Sequence, residues 1–171
     1  MRQIYKSWLA ALILVLIFFI SFLINYESDF SYFCKADSEC LLDLSYETNN
    51  PQLCDLANDT NFCYTKAALY FDYPLLCDKI ENNSECYLKY SIVKNNPQLC
   101  SNTNSLQDKC LFEIGIAYKN MKVCDLANNS GLCYYSYAIH YNESQICDLS
   151  EKYKSICYEK LIMEGDINES N

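Results

Sequence analysis

Glycine and proline are scarce in this 171-residue chain, three of each, and there is one histidine and one tryptophan. So few glycines leave little provision for the turns of a β-rich protein and point to a helical chain. A lone histidine, His140, and the absence of any C-x-x-C pair argue against zinc modules, whose ligands come at short Cys and His spacings, and C-x-x-C-H haem attachment is missing too. No G-x-S-x-G, H-E-x-x-H or phosphate-cradling glycine loop occurs, and the carboxylates have no paired placement. Neither catalysis, nor a metal, nor a cofactor is therefore expected. Positive charge is short as well: beyond residue 24 there are 22 acidic side chains against 11 lysines, a net −11. Such a surface repels nucleic acid and favours solubility.

Acidic residues are wholly absent from residues 1–24, where Arg2 and Lys6 precede the apolar run WLAALILVLIFFISFLI, Trp8–Ile24. Its 17 uncharged residues reach the short end of the ~17–25 that span a bilayer. Basic residues before it and Glu27 and Asp29 after it predict a cytoplasmic N-terminus. The exit, Ser21 to Glu27, lacks the A-x-A of a cleaved signal peptide, which favours an uncleaved signal-anchor. Either alternative exports the cysteine-rich remainder of the chain, to a compartment where disulfides persist.

That remainder is a repeat. Twelve cysteines include pairs fourteen apart at Cys40/Cys54, Cys63/Cys77, Cys86/Cys100, Cys110/Cys124 and Cys133/Cys147, recurring every 23 or 24 residues. A fixed period of that size signals stacked supersecondary units. Aligned on the first cysteine, the next position reads Leu41, Tyr64, Tyr87, Leu111, Tyr134, Tyr158. The fourth reads Leu44, Ala67, Tyr90, Ile114, Tyr137, Leu161, and the fifth is mostly small: Ser45, Ala68, Ser91, Gly115, Ala138, then Ile162. These share one face of a helix of roughly ten residues. Pro51, Pro74 and Pro97 then stop that helix and suit the first position of a second, shorter one, with Asn50 or Asn96 as N-cap. The expected fold is all-α: a transmembrane helix followed by a right-handed αα-hairpin solenoid of 23–24-residue, disulfide-linked repeats. Its divisions are 1–25 (tip and anchor), 26–165 (repeats) and 166–171 (polar tail). Counting back fourteen from Cys34 reaches Ile20, so the anchor's end would replace a missing first helix, with Tyr26, Phe30, Tyr32 and Phe33 at the junction.

Repeat phase also constrains the disulfides. Pairing across the polar loops gives Cys34–Cys40, Cys54–Cys63, Cys77–Cys86, Cys100–Cys110, Cys124–Cys133 and Cys147–Cys157, using all twelve cysteines. The fourteen-residue phase strands Cys34 and Cys157 at opposite ends. Cys54 and Cys63 are also symmetric about their loop, as partners across a helix hairpin must be.

Asn58, Asn82, Asn128, Asn142 and Asn168 head N-x-[ST] glycan acceptors. Among sixteen tyrosines, Tyr70, Tyr135 and Tyr141 lie outside the recurrent apolar columns and are the candidates for a recognition surface.

Helix pairs stapled by two cysteines, with a small-residue column, resemble the cysteine-rich Sel1-like repeat proteins, although the units here are shorter and lack that group's glycine signature. The resemblance implies protein or peptide recognition through a solenoid surface. The expected function is a membrane-anchored, extracytoplasmic binding, adhesion or scaffold module at the cell membrane. The alternative is a structural envelope or surface-layer component, and an enzyme is a remote third.

Overall fold

The computed structural model describes residues 13–18, 20–21 and 34–168, with side chains to residue 163. Every element among the described residues from Ser38 onward is helical. Long α-helices fall at α1 Ser38–Thr48, α2 Thr60–Tyr70, α3 Ser84–Val93, α4 Gln107–Ala117, α5 Ser130–Tyr141 and α6 Lys154–Asn168. Between them run 3₁₀ helices at Pro51–Leu56, Pro74–Lys79, Pro97–Leu106 (broken by a kink at Asn104), Met121–Leu126, Ser144–Leu149 and Glu151–Tyr153. The contacts form two compact units, Met1–Ala67 and Ala68–Asn171. In the first, α1 packs on Pro51–Leu56; in the second, α3 packs on α4, α4 on α5 and α5 on α6.

The membrane-spanning helix expected at Trp8–Ile24 is not supported. Among the described residues no helix is long and apolar enough to cross a membrane. Within the apolar run, helical geometry covers 13–18 and 20–21. The single-pass topology, the cytoplasmic N-terminus and the cell-membrane location rested on that span and are withdrawn with it. Trp8, Tyr26, Phe30, Tyr32 and Phe33 lie outside the described residues.

The helical stripe is the core. Tyr64, Tyr87, Leu111 and Tyr134 after the first cysteine are buried, as are Ala67, Tyr90, Ile114, Tyr137 and Leu161 three positions later. Burying each large member contributes about 1.5–3 kcal/mol. The small column admits close neighbours: a Cβ on Gly115 would stand 3.4 Å from the Asn120 carbonyl oxygen and 3.9 Å from the Tyr137 ring.

How the long helices end differs from the sequence expectation. Proline is not the common stop, since α4 and α5 end the same way without one. Each of α1 to α5 is followed by a residue in the left-handed region: Asn49, Asp72, Asn95, Lys119 and Asn142, with φ between 49° and 56°. The amide of the next residue then reaches back to the small-column carbonyl, as in Asn50 to Ser45 (3.0 Å), Asn96 to Ser91 (2.9 Å) and Asn120 to Gly115 (2.9 Å). This closes carbonyls that a helix end leaves open. Pro51, Pro74 and Pro97 take the first position of the following 3₁₀ helix. Asn50 caps its helix through the Gln52 amide (3.2 Å), whereas Asn96 makes no such side-chain bond. The 24-residue units accommodate their extra residue in the loop, where Asn104 and Glu151 also take positive φ (51° and 50°).

A side chain with a Cβ is disfavoured in the left-handed region, less so for asparagine, and glycine is free of the penalty. Asn95 is exposed. Asn95→Ala should destabilise the protein by about 1 kcal/mol, while Asn95→Gly should be neutral or mildly stabilising. Thermal denaturation of the two variants side by side checks this.

Candidate functional site

Each hairpin has two edges of different chemistry. At the loop edge lie the disulfides, Cys34–Cys40, Cys54–Cys63, Cys77–Cys86, Cys100–Cys110, Cys124–Cys133 and Cys147–Cys157, with Cα separations of 5.4 to 5.6 Å. These are the loop-spanning pairs. No cysteine is left free, and among the described residues no group of His, Cys, Asp or Glu is placed to hold a metal ion. His140 is exposed and meets the Tyr141 ring edge-on at 4.8 Å.

Beside the disulfides runs a set of tyrosine–aspartate hydrogen bonds. The hydroxyl of Tyr64 donates to Asp55 (2.6 Å), Tyr87 to Asp78 (2.8 Å), Tyr134 to Asp125 (2.6 Å) and Tyr158 to Asp148 (3.1 Å). In every case the tyrosine follows the later cysteine of the bridge and the aspartate follows the earlier one. The bridge itself therefore brings them together. Where the tyrosine is replaced, the aspartate goes too: the Cys100–Cys110 hairpin carries Ser101 with Leu111, and Cys34–Cys40 carries Lys35 with Leu41. A buried hydroxyl needs an acceptor and a leucine does not. Burial and the adjoining carboxylate push Tyr87 and Tyr134 up to about 12, and Tyr64 higher still. The sequence placed these tyrosines in the core but missed their partners; the joint substitution was the available signal.

The turn edge is aromatic and apolar. Tyr70, Tyr73, Leu75, Val93, Tyr118 and Met121 are exposed there, Tyr70 at 60% and Val93 at 58%. In the second unit, the residue eight past Cys86, Cys110 and Cys133 ties one turn to the preceding one. The Lys94 ammonium pairs with Asp72 at 2.9 Å, and the Tyr118 hydroxyl donates to the carbonyls of Ile92 (2.9 Å) and Val93 (3.0 Å). Tyr141 donates to Ile116, and the Lys119 ammonium stands 5.6 Å from the Tyr141 ring. Asp72 also accepts from the Tyr90 hydroxyl (2.7 Å). The Lys94 hydrogen bond, then that of Tyr90, holds its carboxyl below the usual range. These ties, invisible in a search for apolar columns, bring Asp72, Val93 and Tyr118 into one continuous strip.

The three tyrosines singled out from sequence are not equivalent. Tyr70 is exposed, edge-on to Phe71 at 5.1 Å. Tyr135 is half-buried against the core of the C-terminal hairpins, its ring 5.9 Å from Tyr153. Tyr141 is half-buried, 4.7 Å from the Tyr137 ring, and serves the turn-to-turn bond above. Asn58, Asn82 and Asn128 are exposed in disulfide loops, and Asn142 is exposed at the end of α5. Asn168 is the last residue of α6, and its side chain lies outside the described residues. A shallow cleft of about 210 Å³ also opens between α4 and α5, with Phe112, Leu132 and Cys133 as its apolar lining and Asp108, Lys109, Asn129 and Ser136 as its polar one. That is below the ~300 Å³ of a typical small-molecule pocket.

No protein-family model, curated protein or solved structure matches this chain.

If the Tyr–Asp pair is one unit, its two members should not be independent. Asp78→Ser should cost roughly 1–3 kcal/mol by stranding the buried Tyr87 hydroxyl, and Tyr87→Leu should cost about as much. The double variant restores the combination found at Ser101 and Leu111. It should cost at least ~1 kcal/mol less than the two singles added together. Chemical denaturation of the four proteins closes the cycle.

Proposed function

We propose that this chain is a protein- or peptide-binding module of an oxidising, extracytoplasmic compartment, and that it works by surface recognition without catalysis. In kind it resembles the cysteine-rich Sel1-like repeat proteins, whose helix pairs are likewise stapled by disulfides. The observation that carries the reading is the turn edge of the second unit. Tyr70, Tyr73, Leu75 and Val93 keep half or more of their surface exposed there, from 50% to 60%. Large apolar residues grouped in the open, rather than scattered singly, mark interaction surfaces. Tyrosine suits such a surface because it is rigid, with an apolar body and a polar tip. The loop edge is the opposite in character, holding three of the glycan acceptors, Asn58, Asn82 and Asn128, and the exposed aspartates that accept from tyrosine. A partner would meet the turn edge and leave the loop edge to solvent.

A second reading, a surface-layer component packing on its own copies, draws on Ile156, Ile162 and Met163 of α6, which are 53%, 64% and 51% exposed. A purified repeat domain that forms polydisperse or lattice-like assemblies favours this reading, and a monomer that captures a partner favours the first.

The test is crosslinking capture from the outer cell surface, using the native repeat domain and a Tyr70→Glu/Val93→Glu variant. Introducing charge into the strip should reduce recovery of the captured partner at least ~10-fold, about 1.4 kcal/mol, with the helical circular dichroism unchanged. Equal recovery by both proteins would place recognition elsewhere.

A further inference from the structure

The first disulfide differs from the other five in three ways, and from four of them in a fourth. Cys40 is partly exposed, whereas the ten cysteines of the remaining bridges are all 4% exposed or less. Its loop is the shortest, with a separation of six residues against nine or ten elsewhere. Within that loop Lys35 and Ala36 stand consecutively in the left-handed region, at φ 46° and 63°. Neither is glycine, so both oppose the conformation the closed loop holds. Finally, this hairpin has Lys35 and Leu41 where four others have the Asp–Tyr bond.

We propose that Cys34–Cys40 is a thiol-exchange site, opened by a dithiol reductant while the other five bridges stay closed. A thiolate of the dithiol attacks the Sγ of Cys40, the more exposed cysteine of the pair, forming a mixed disulfide and breaking the Cys34–Cys40 bond. The Cys34 Sγ departs as a thiolate and takes a proton from solvent; Lys35, next in the chain, is a cation that favours this leaving group. The second thiolate of the dithiol then attacks its own bonded sulfur and releases Cys40, which is protonated in turn. The protein disulfide gains two electrons and two protons, and the dithiol becomes a disulfide.

Opening has a structural target. The Ala36 carbonyl accepts from the Asn58 amide (2.9 Å), and the Ser38 hydroxyl accepts from the Asp59 amide (2.9 Å). The neighbouring loop, which carries the Asn58 glycan acceptor, therefore rests on the exchangeable one. Reduction would release it without touching the buried bridges.

The test treats the native protein with limiting dithiothreitol, traps free thiols over time by alkylation, and reads the sites by peptide mass spectrometry. Cys34 and Cys40 should label at least ~10-fold faster than any other pair, and amide exchange at Asn58 and Asp59 should accelerate in the singly reduced protein. Uniform labelling, or labelling that begins at another bridge, would overturn the assignment. A Lys35→Gly/Ala36→Gly variant separates strain from access. Relieved of its left-handed penalty, the closed loop should show a lower reduced fraction in a dithiol redox buffer, and an unchanged fraction would refute the part played by the backbone.

Discussion

A disulfide closing a loop of about ten residues removes roughly 2.5–3 kcal/mol of conformational freedom from the unfolded chain. Here that constraint falls at every hairpin, with sequence separations of nine or ten after the first. A unit of 23 or 24 residues has too little volume to shield a core of its own, so it depends on the bridge and on its neighbours. The bridge also does local chemistry. By holding Cys54 beside Cys63 it delivers the Asp55 carboxylate to the buried Tyr64 hydroxyl, and the same happens at Asp78, Asp125 and Asp148. The pair at Ser101 and Leu111 shows the other self-consistent solution, with no hydroxyl buried and no acceptor needed.

Between the bridges, hydrogen bonds of the second unit link the loops of successive hairpins. Asp108 accepts from the Asn128 and Asn129 amides at 2.8 and 3.1 Å, and Ser130 donates to Glu151. Gly131 sits under this contact: a Cβ there would lie 2.9 Å from the Ser150 carbonyl oxygen. The turns are joined separately, through Lys94, Tyr118 and Tyr141. Loop ties and turn ties thus fix the two edges independently, and the turn edge keeps its apolar side chains in the open while its polar atoms are satisfied internally.

Much of this was legible from the residues alone. The repeat phase identified the helical stripe and the cysteine pairing, because both depend on spacing and on which side chains resist water. The helix stops were misread. Proline at Pro51, Pro74 and Pro97 drew attention from the residue two places earlier, which does the terminating, and no rule of composition marks Lys119 as a left-handed residue. Tyr141 was misjudged for a related reason: it stands outside the apolar columns of its own helix, yet its hydroxyl serves a carbonyl in the preceding one. Long-range ties of this sort have no local pattern. The apolar run at Trp8–Ile24 met the composition of a span, but among the described residues no helix is long and apolar enough to cross a membrane.

If the bridges are what the rest depends on, the helices should not survive without them. Complete reduction and alkylation of all six disulfides, in the absence of denaturant, followed by far-ultraviolet circular dichroism, is the direct measurement. Loss of most of the helical signal is the predicted result. A reduced chain that kept its native helicity would show that packing alone specifies the hairpins, and would contradict the account at its base.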